Sequence, residues 1–128
     1  MSDTKPAKTS AAPIKRSAPW GGILHEVVEH NDTLYLAGIV AEDLSADITG
    51  QSEDALRQLE TVLRTHGSDM SRVLQVTIYL ADLGEKAGFD AAWKRAFAAD
   101  HMPARACFAT ADLGPRVKLE LVAIAAKG

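Results

Sequence analysis

The chain has 128 residues, 47% of them hydrophobic and 24% charged, which suits one domain with its own core. Its net charge of −3 argues against a nucleic-acid partner, which would select a basic face. The lone cysteine, Cys107, excludes an internal disulfide and fits a reducing, cytoplasmic setting, and no apolar run approaches the roughly 20 residues that span a bilayer.

Residues 1–19 are rich in Ala, Ser, Pro and Lys, with Lys5, Lys8, Lys15 and Arg16 against Asp3. They offer too little apolar surface to order themselves, so a disordered basic tail is expected ahead of a single domain at 20–128. Residues 23–29 and 33–40 read as strands, joined through the turn residues His30, Asn31 and Asp32. A helix is expected over 51–66, with Ala55, Leu59, Val62 and Leu63 on one stripe and Gly67 at its end. Residues 72–80 alternate as a strand: Leu74, Val76, Ile78 and Leu80 face one way, and Val73, Gln75, Thr77 and Tyr79 the other. Asp82 and Glu85 have capping-box spacing before a second helix whose inner face carries Phe89, Trp93, Ala96 and Phe97. Two final strands, 105–110 and 117–125, flank the turn residues Asp112-Leu113-Gly114-Pro115.

The order ββαβαββ predicts an α+β fold, a two-layer sandwich with two helices against a mixed sheet. In the last strand Val117, Leu119, Leu121 and Ala123 form an apolar side, while Lys118, Glu120, Val122 and Ile124 form a half-apolar one. Helices cover only one sheet face. Apolar residues on the other, with Val73 and Tyr79 among them, point to burial against another copy of the chain.

If the last two strands pair as an antiparallel hairpin, Cys107 opposes Glu120 and Arg105 opposes Val122. Arg105, Cys107 and Glu120 then share the helix-free face, with Arg105 and Glu120 as diagonal neighbours about 7–8 Å apart. An arginine placed so can grip a small carboxylate through two parallel hydrogen bonds. The plainer alternative is a surface ion pair worth about 0–1 kcal/mol. Cys107 has no His–Asp arrangement to activate it and reads as a small buried hydrophobe. His25, His30, His66 and His101 lack metal-ligand spacing, so no metal is expected.

Met102-Pro-Ala-Arg-Ala-Cys107 followed by Val117-Lys-Leu-Glu-Leu-Val-Ala-Ile-Ala125 resembles the C-terminal signature of the RidA (YjgF) family of enamine/imine deaminases, also known as the endoribonuclease L-PSP family. Thr33-Leu-Tyr-Leu-Ala-Gly38 resembles that family's second strand, and Ser71–Asp82 its third strand and the approach to its second helix. The likeness covers about residues 20–127. It implies a chorismate-mutase-like fold assembled as a homotrimer with clefts between subunits. It also implies hydrolysis of 2-imino or 2-enamino acids to 2-oxo acids and ammonia, without any cofactor. In that likeness Arg105 binds the substrate carboxylate, Glu120 positions or activates water, and the Cys107 backbone contributes to the pocket. Trp20 stands where the family often has tyrosine, Ala37 where it often has serine before Gly38, and Asp90 where it has asparagine. These substitutions remove hydroxyls and add a charge, which repels an anionic substrate unless it is paired or protonated. A carboxylate-binding protein without turnover is the alternative on the same fold. RNA cleavage, a label some relatives carry, is disfavoured by the acidic balance.

Overall fold

The computed structural model describes residues 11–128. Its main elements are β1 (Lys15–Arg16), β2 (Pro19–Trp20), β3 (Leu24–His25), β4 (Val27–His30), β5 (Thr33–Leu36), α1 (Ile48–Thr65), β6 (Val73–Leu80), α2 (Lys86–Ala96), β7 (Ala104–Ala109) and β8 (Leu119–Ala126). A six-stranded sheet runs β1-β4-β5-β8-β6-β7, and β2 pairs with β3 in a separate ribbon. Both helices pack on one sheet face, so the two-layer α+β reading holds. No helix among the described residues is long and apolar enough to cross a membrane.

Local chemistry accounts for most of these elements. The β4–β5 hairpin closes through Asn31 (φ 52°) and Asp32 (φ 59°), residues that tolerate the left-handed conformation a two-residue hairpin turn requires. Helix α1 begins three residues earlier than its apolar stripe suggests. The Asp47 side chain accepts from the Gly50 N–H and extends the helix backward through residues with weak helix preference. Asp82 accepts from the Gly84 N–H in a tight turn instead of forming the expected capping box, and Glu85 reaches to Lys118.

The core joins the inner sheet face to both helices. Leu34, Val76, Ile78, Leu80, Leu119 and Leu121 from the strands meet Leu59, Leu63 and Phe89 from the helices, all fully buried. Truncating any one of the buried leucines to alanine costs about 2–5 kcal/mol. Gln51 is also fully buried, and its amide works as a clamp. Nε2 donates to the carbonyls of Leu44, Ala46 and Arg116, while Oε1 accepts from the Lys118 N–H. That fixes the loop leading into β8 without help from a regular element.

Three expectations are corrected. First, β7 and β8 do not form a hairpin. β7 runs parallel to β6 (Val76↔Arg105, Ile78↔Cys107), and β8 lies antiparallel between β5 and β6 (Tyr79↔Glu120, Ile78↔Leu121). A strand–helix–strand unit returns parallel because the helix carries the chain back to the sheet's starting edge. Second, Val73 faces the core. A bulge at Leu74, where two β6 residues answer one β8 residue, turns Val73 inward and leaves Leu74 exposed. Third, order begins before residue 20. Lys15 and Arg16 pair with Glu29 and Val28, and Ser17 bonds Val27 through both backbone and hydroxyl. Backbone pairing at a sheet edge needs no apolar side chains, which is why composition did not foreshadow it. Residues 1–10 of the expected tail lie outside the described residues.

Candidate functional site

The parallel β6–β7 pairing decides where each candidate side chain points. Arg105 sits beside Val76 and Cys107 beside Ile78, so both lie on the helix-covered face, at its β7 edge. Glu120 sits beside Tyr79 on the helix-free face. Arg105 and Glu120 are therefore two strands apart, about 9–10 Å across the sheet, and on opposite faces. The diagonal contact expected from a hairpin does not exist within one chain.

Around Arg105 the structure builds a compact charged cluster. Asp90 and Lys86 sit one helical turn apart on α2 and so share a face. Lys86 Nζ donates to Asp90 Oδ2 at 2.8 Å, and Arg105 Nη2 donates to Asp90 Oδ1 at 2.5 Å. The guanidinium carbon lies 5.0 Å from the Trp93 ring centroid and 5.6 Å from that of Phe89, within cation–π range of both. These rings continue into a stack with Phe97, with Trp93 and Phe97 centroids 4.5 Å apart. Burial works against the Asp90 charge, but hydrogen bonds from Lys86 and Arg105 outweigh it and hold the carboxyl below its ordinary range. The charge that Asp90 adds is thus paired. Burial pushes the Cys107 thiol upward, the more so beside Asp90, against the pull of Arg105 and Lys86. Cys107 is consequently a poor thiolate, as its sequence context suggested.

The other candidates gather around the end of β5. Trp20, Ala37 and Gly38 line one cavity of about 410 Å³, with Leu24, Glu26 and Val62 among its other walls. Trp20 is exposed, carried on the β2–β3 ribbon rather than on the main sheet. The Glu120 carboxylate lies over Gly38 where a Cβ would stand, so only glycine leaves that side chain its place. Among the described residues no cation pairs with Glu120. The candidate residues thus form two groups: Asp90, Arg105 and Cys107 on one, and Trp20, Ala37, Gly38 and Glu120 on the other. Lys86, Phe89 and Trp93 belong to the first group through their contacts with Asp90 and Arg105. The spacing of Lys86 and Asp90 was the sequence signal for that helix face.

The helix-free face between and beyond these groups is apolar in large part. Register places Val28, Tyr35, Ile124, Val122, Tyr79 and Phe108 on it. Tyr79 and Phe108 have ring centroids 6.3 Å apart, and Phe108 remains exposed.

The model of the endoribonuclease L-PSP family matches residues 14–127. The RutC family protein YoaB of Escherichia coli is 39% identical over 113 residues, covering 88% of this chain and 95% of that protein. The crystal structure of a YjgF family member from Neisseria meningitidis superposes with a TM-score of 0.86 at 30% identity, covering 93% of this chain and 98% of that one. A mouse protein named 2-iminobutanoate/2-iminopropanoate deaminase is 29% identical over 111 residues, covering 80% of this chain and 82% of that protein.

Proposed function

Since the chain belongs to the endoribonuclease L-PSP, or RidA (YjgF), family, we propose that it hydrolyses small 2-imino or 2-enamino acids to 2-oxo acids and ammonia, in sites completed between subunits of a homotrimer. The observation that carries this reading is the division of the candidate residues. One chain holds a fixed cation at one sheet edge and a carboxylate without a partner cation elsewhere, and an apolar sheet face offers the means of bringing copies together.

Each residue then has a defined task. Arg105 binds the substrate carboxylate with the N–H groups it does not spend on Asp90, since a guanidinium carries five. Glu120 of a neighbouring copy holds the attacking water and accepts its proton as oxygen adds to the imine carbon. The resulting carbinolamine expels ammonia after proton transfer to nitrogen, leaving the 2-oxo acid. A protonated imine is already electrophilic, so holding and orientation are the main demands on the protein. Trp20 and Leu24 supply apolar wall to the cavity that Ala37 and Gly38 floor. The mouse relative's name states an activity of this class, and it supports the reading.

The experiment is complementation. Arg105→Ala and Glu120→Ala are each expected to keep no more than about a tenth of wild-type activity on 2-iminopropionate generated in situ. Co-assembled, they restore one intact site per mixed trimer, or about a quarter of wild-type activity for random mixing. Activity no greater in the mixture than in either variant alone would sink the shared-site reading. The alternative is a carboxylate-binding protein without turnover. It is favoured by Ala37, which supplies no hydroxyl to the cavity, and predicts 2-oxobutyrate binding in calorimetry with no ammonia release.

A further inference from the structure

The Asp90 carboxylate is held from both sides. Lys86 takes one oxygen and Arg105 the other. Arg105 in turn rests on two rings and cannot swing a fresh fork outward without leaving both. An incoming ligand thus meets an arginine that already carries one carboxylate, and a lysine that already carries the same one. The space between two cations is where a second acidic group of a ligand would lodge, and a protein carboxylate fills it.

We propose that Asp90 is a specificity-determining residue that occupies the second-carboxylate subsite between Lys86 and Arg105, so that the site accepts 2-imino or 2-oxo monocarboxylates and rejects dicarboxylates. The inference rests on the reading of Arg105 as the carboxylate anchor. Two cations and one anion leave the cluster a single net positive charge, which matches one ligand carboxylate. A second ligand anion would lie against Asp90 with no cation left to answer it. A like charge built into a site is an efficient way to exclude one class of competitor, because the cost falls on that class alone. Protonation does not relieve it, since Lys86 and Arg105 hold the Asp90 carboxyl below its ordinary range despite partial burial. Asn at this position would keep the shape and an acceptor for Arg105 while returning Lys86 to solvent and ligand.

The test compares wild type with Asp90→Asn on 2-iminopropionate and on 2-iminoglutarate, each generated in situ by an amino-acid oxidase. Asp90→Asn is expected to raise the kcat/KM ratio of dicarboxylate over monocarboxylate by tenfold or more. A residue that merely steadies Arg105 would change both substrates together, and an unchanged ratio overturns the proposal. So does a wild type that turns over the two equally well. If the wild type hydrolyses neither, the hydrolytic reading fails and the inference is judged by calorimetry with 2-oxobutyrate and 2-oxoglutarate. Selectivity must then shift toward 2-oxoglutarate by tenfold or more in Asp90→Asn. An unshifted selectivity, or no binding of either acid by either protein, overturns it.

Discussion

The two groups of candidate residues are built on opposite plans. At the α2–β7 edge the carboxylate is matched within the chain: Lys86 and Arg105 both hold Asp90, and two aromatic rings support the guanidinium. At the end of β5 a carboxylate lies over a glycine beside a cavity walled largely by hydrocarbon, with no described cation paired to it. The first region's charged contacts are made when the chain folds. On the proposed function, the second is completed by a neighbouring copy. A cation must be held still to recognise a planar carboxylate, and its supports come cheaply from an adjacent helix. A water-activating carboxylate gains from having no internal partner, because an ion pair would occupy the lone pairs it needs.

The sharpest way to break this contrast is to remove the support beneath Arg105. Phe89 is fully buried between the sheet and Trp93. Phe89→Ala is expected to cost about 3–5 kcal/mol in denaturant unfolding, from lost burial and the cavity left behind. A loss below about 1 kcal/mol would show that the aromatic stack is not what holds the edge together.

Next comes the anchor itself. Arg105→Ala should lower kcat/KM on 2-iminopropionate by about ten- to a hundredfold, the kinetic equivalent of one charge-assisted contact. Arg105→Lys should recover little of that, because a lysine has no planar fork to lie over Phe89 and Trp93 while facing two carboxylates. Full activity in Arg105→Lys would reduce the edge to a point charge.

Gly38→Ala probes the other region. The new Cβ would stand where the Glu120 carboxylate now lies, and that carboxylate ends a flexible side chain that can move aside. Stability is therefore expected to change by less than about 1 kcal/mol, while activity falls about tenfold. Unfolding curves and ammonia-release rates on the same preparation separate the two effects. Equal losses in both would mean that Gly38 serves the fold rather than Glu120.

Much of the scaffold could be read in the sequence. Period-two alternation in β6 and β8 and the Phe89–Trp93–Phe97 stripe identify the inner faces, and Asn31-Asp32 marks the hairpin. What could not be read was which strand β7 joins. The turn residues after Thr110 suggested a hairpin, and a wrong partner moves Arg105 and Cys107 to the wrong face. The α2 crossover was the better guide, since strand–helix–strand segments return parallel. The Asp90–Arg105 pair was hidden for the same reason: its members are 15 residues apart and meet only once β7 is placed beside β6. Val73 was misplaced by a single bulged residue, which no periodicity reports.

The smallest effect bears on the same pair and turns on sign. The folded-state pKa of Asp90 lies below its unfolded value, because Lys86 and Arg105 stabilise the anion more than partial burial disfavours it. Its pairing therefore contributes fully above the unfolded value, about 3.8, and is lost as pH falls through the lower folded value. Asp90→Asn carries no such term. The stability gap between wild type and Asp90→Asn should thus stand at about 1 kcal/mol or less at pH 7, where both partners are partly exposed to solvent, and close toward pH 2. Parallel denaturant titrations at the two pH values measure it. A gap that persists in acid would assign the Asp90 contribution to packing, and one that widens would reverse the sign of its coupling to Arg105.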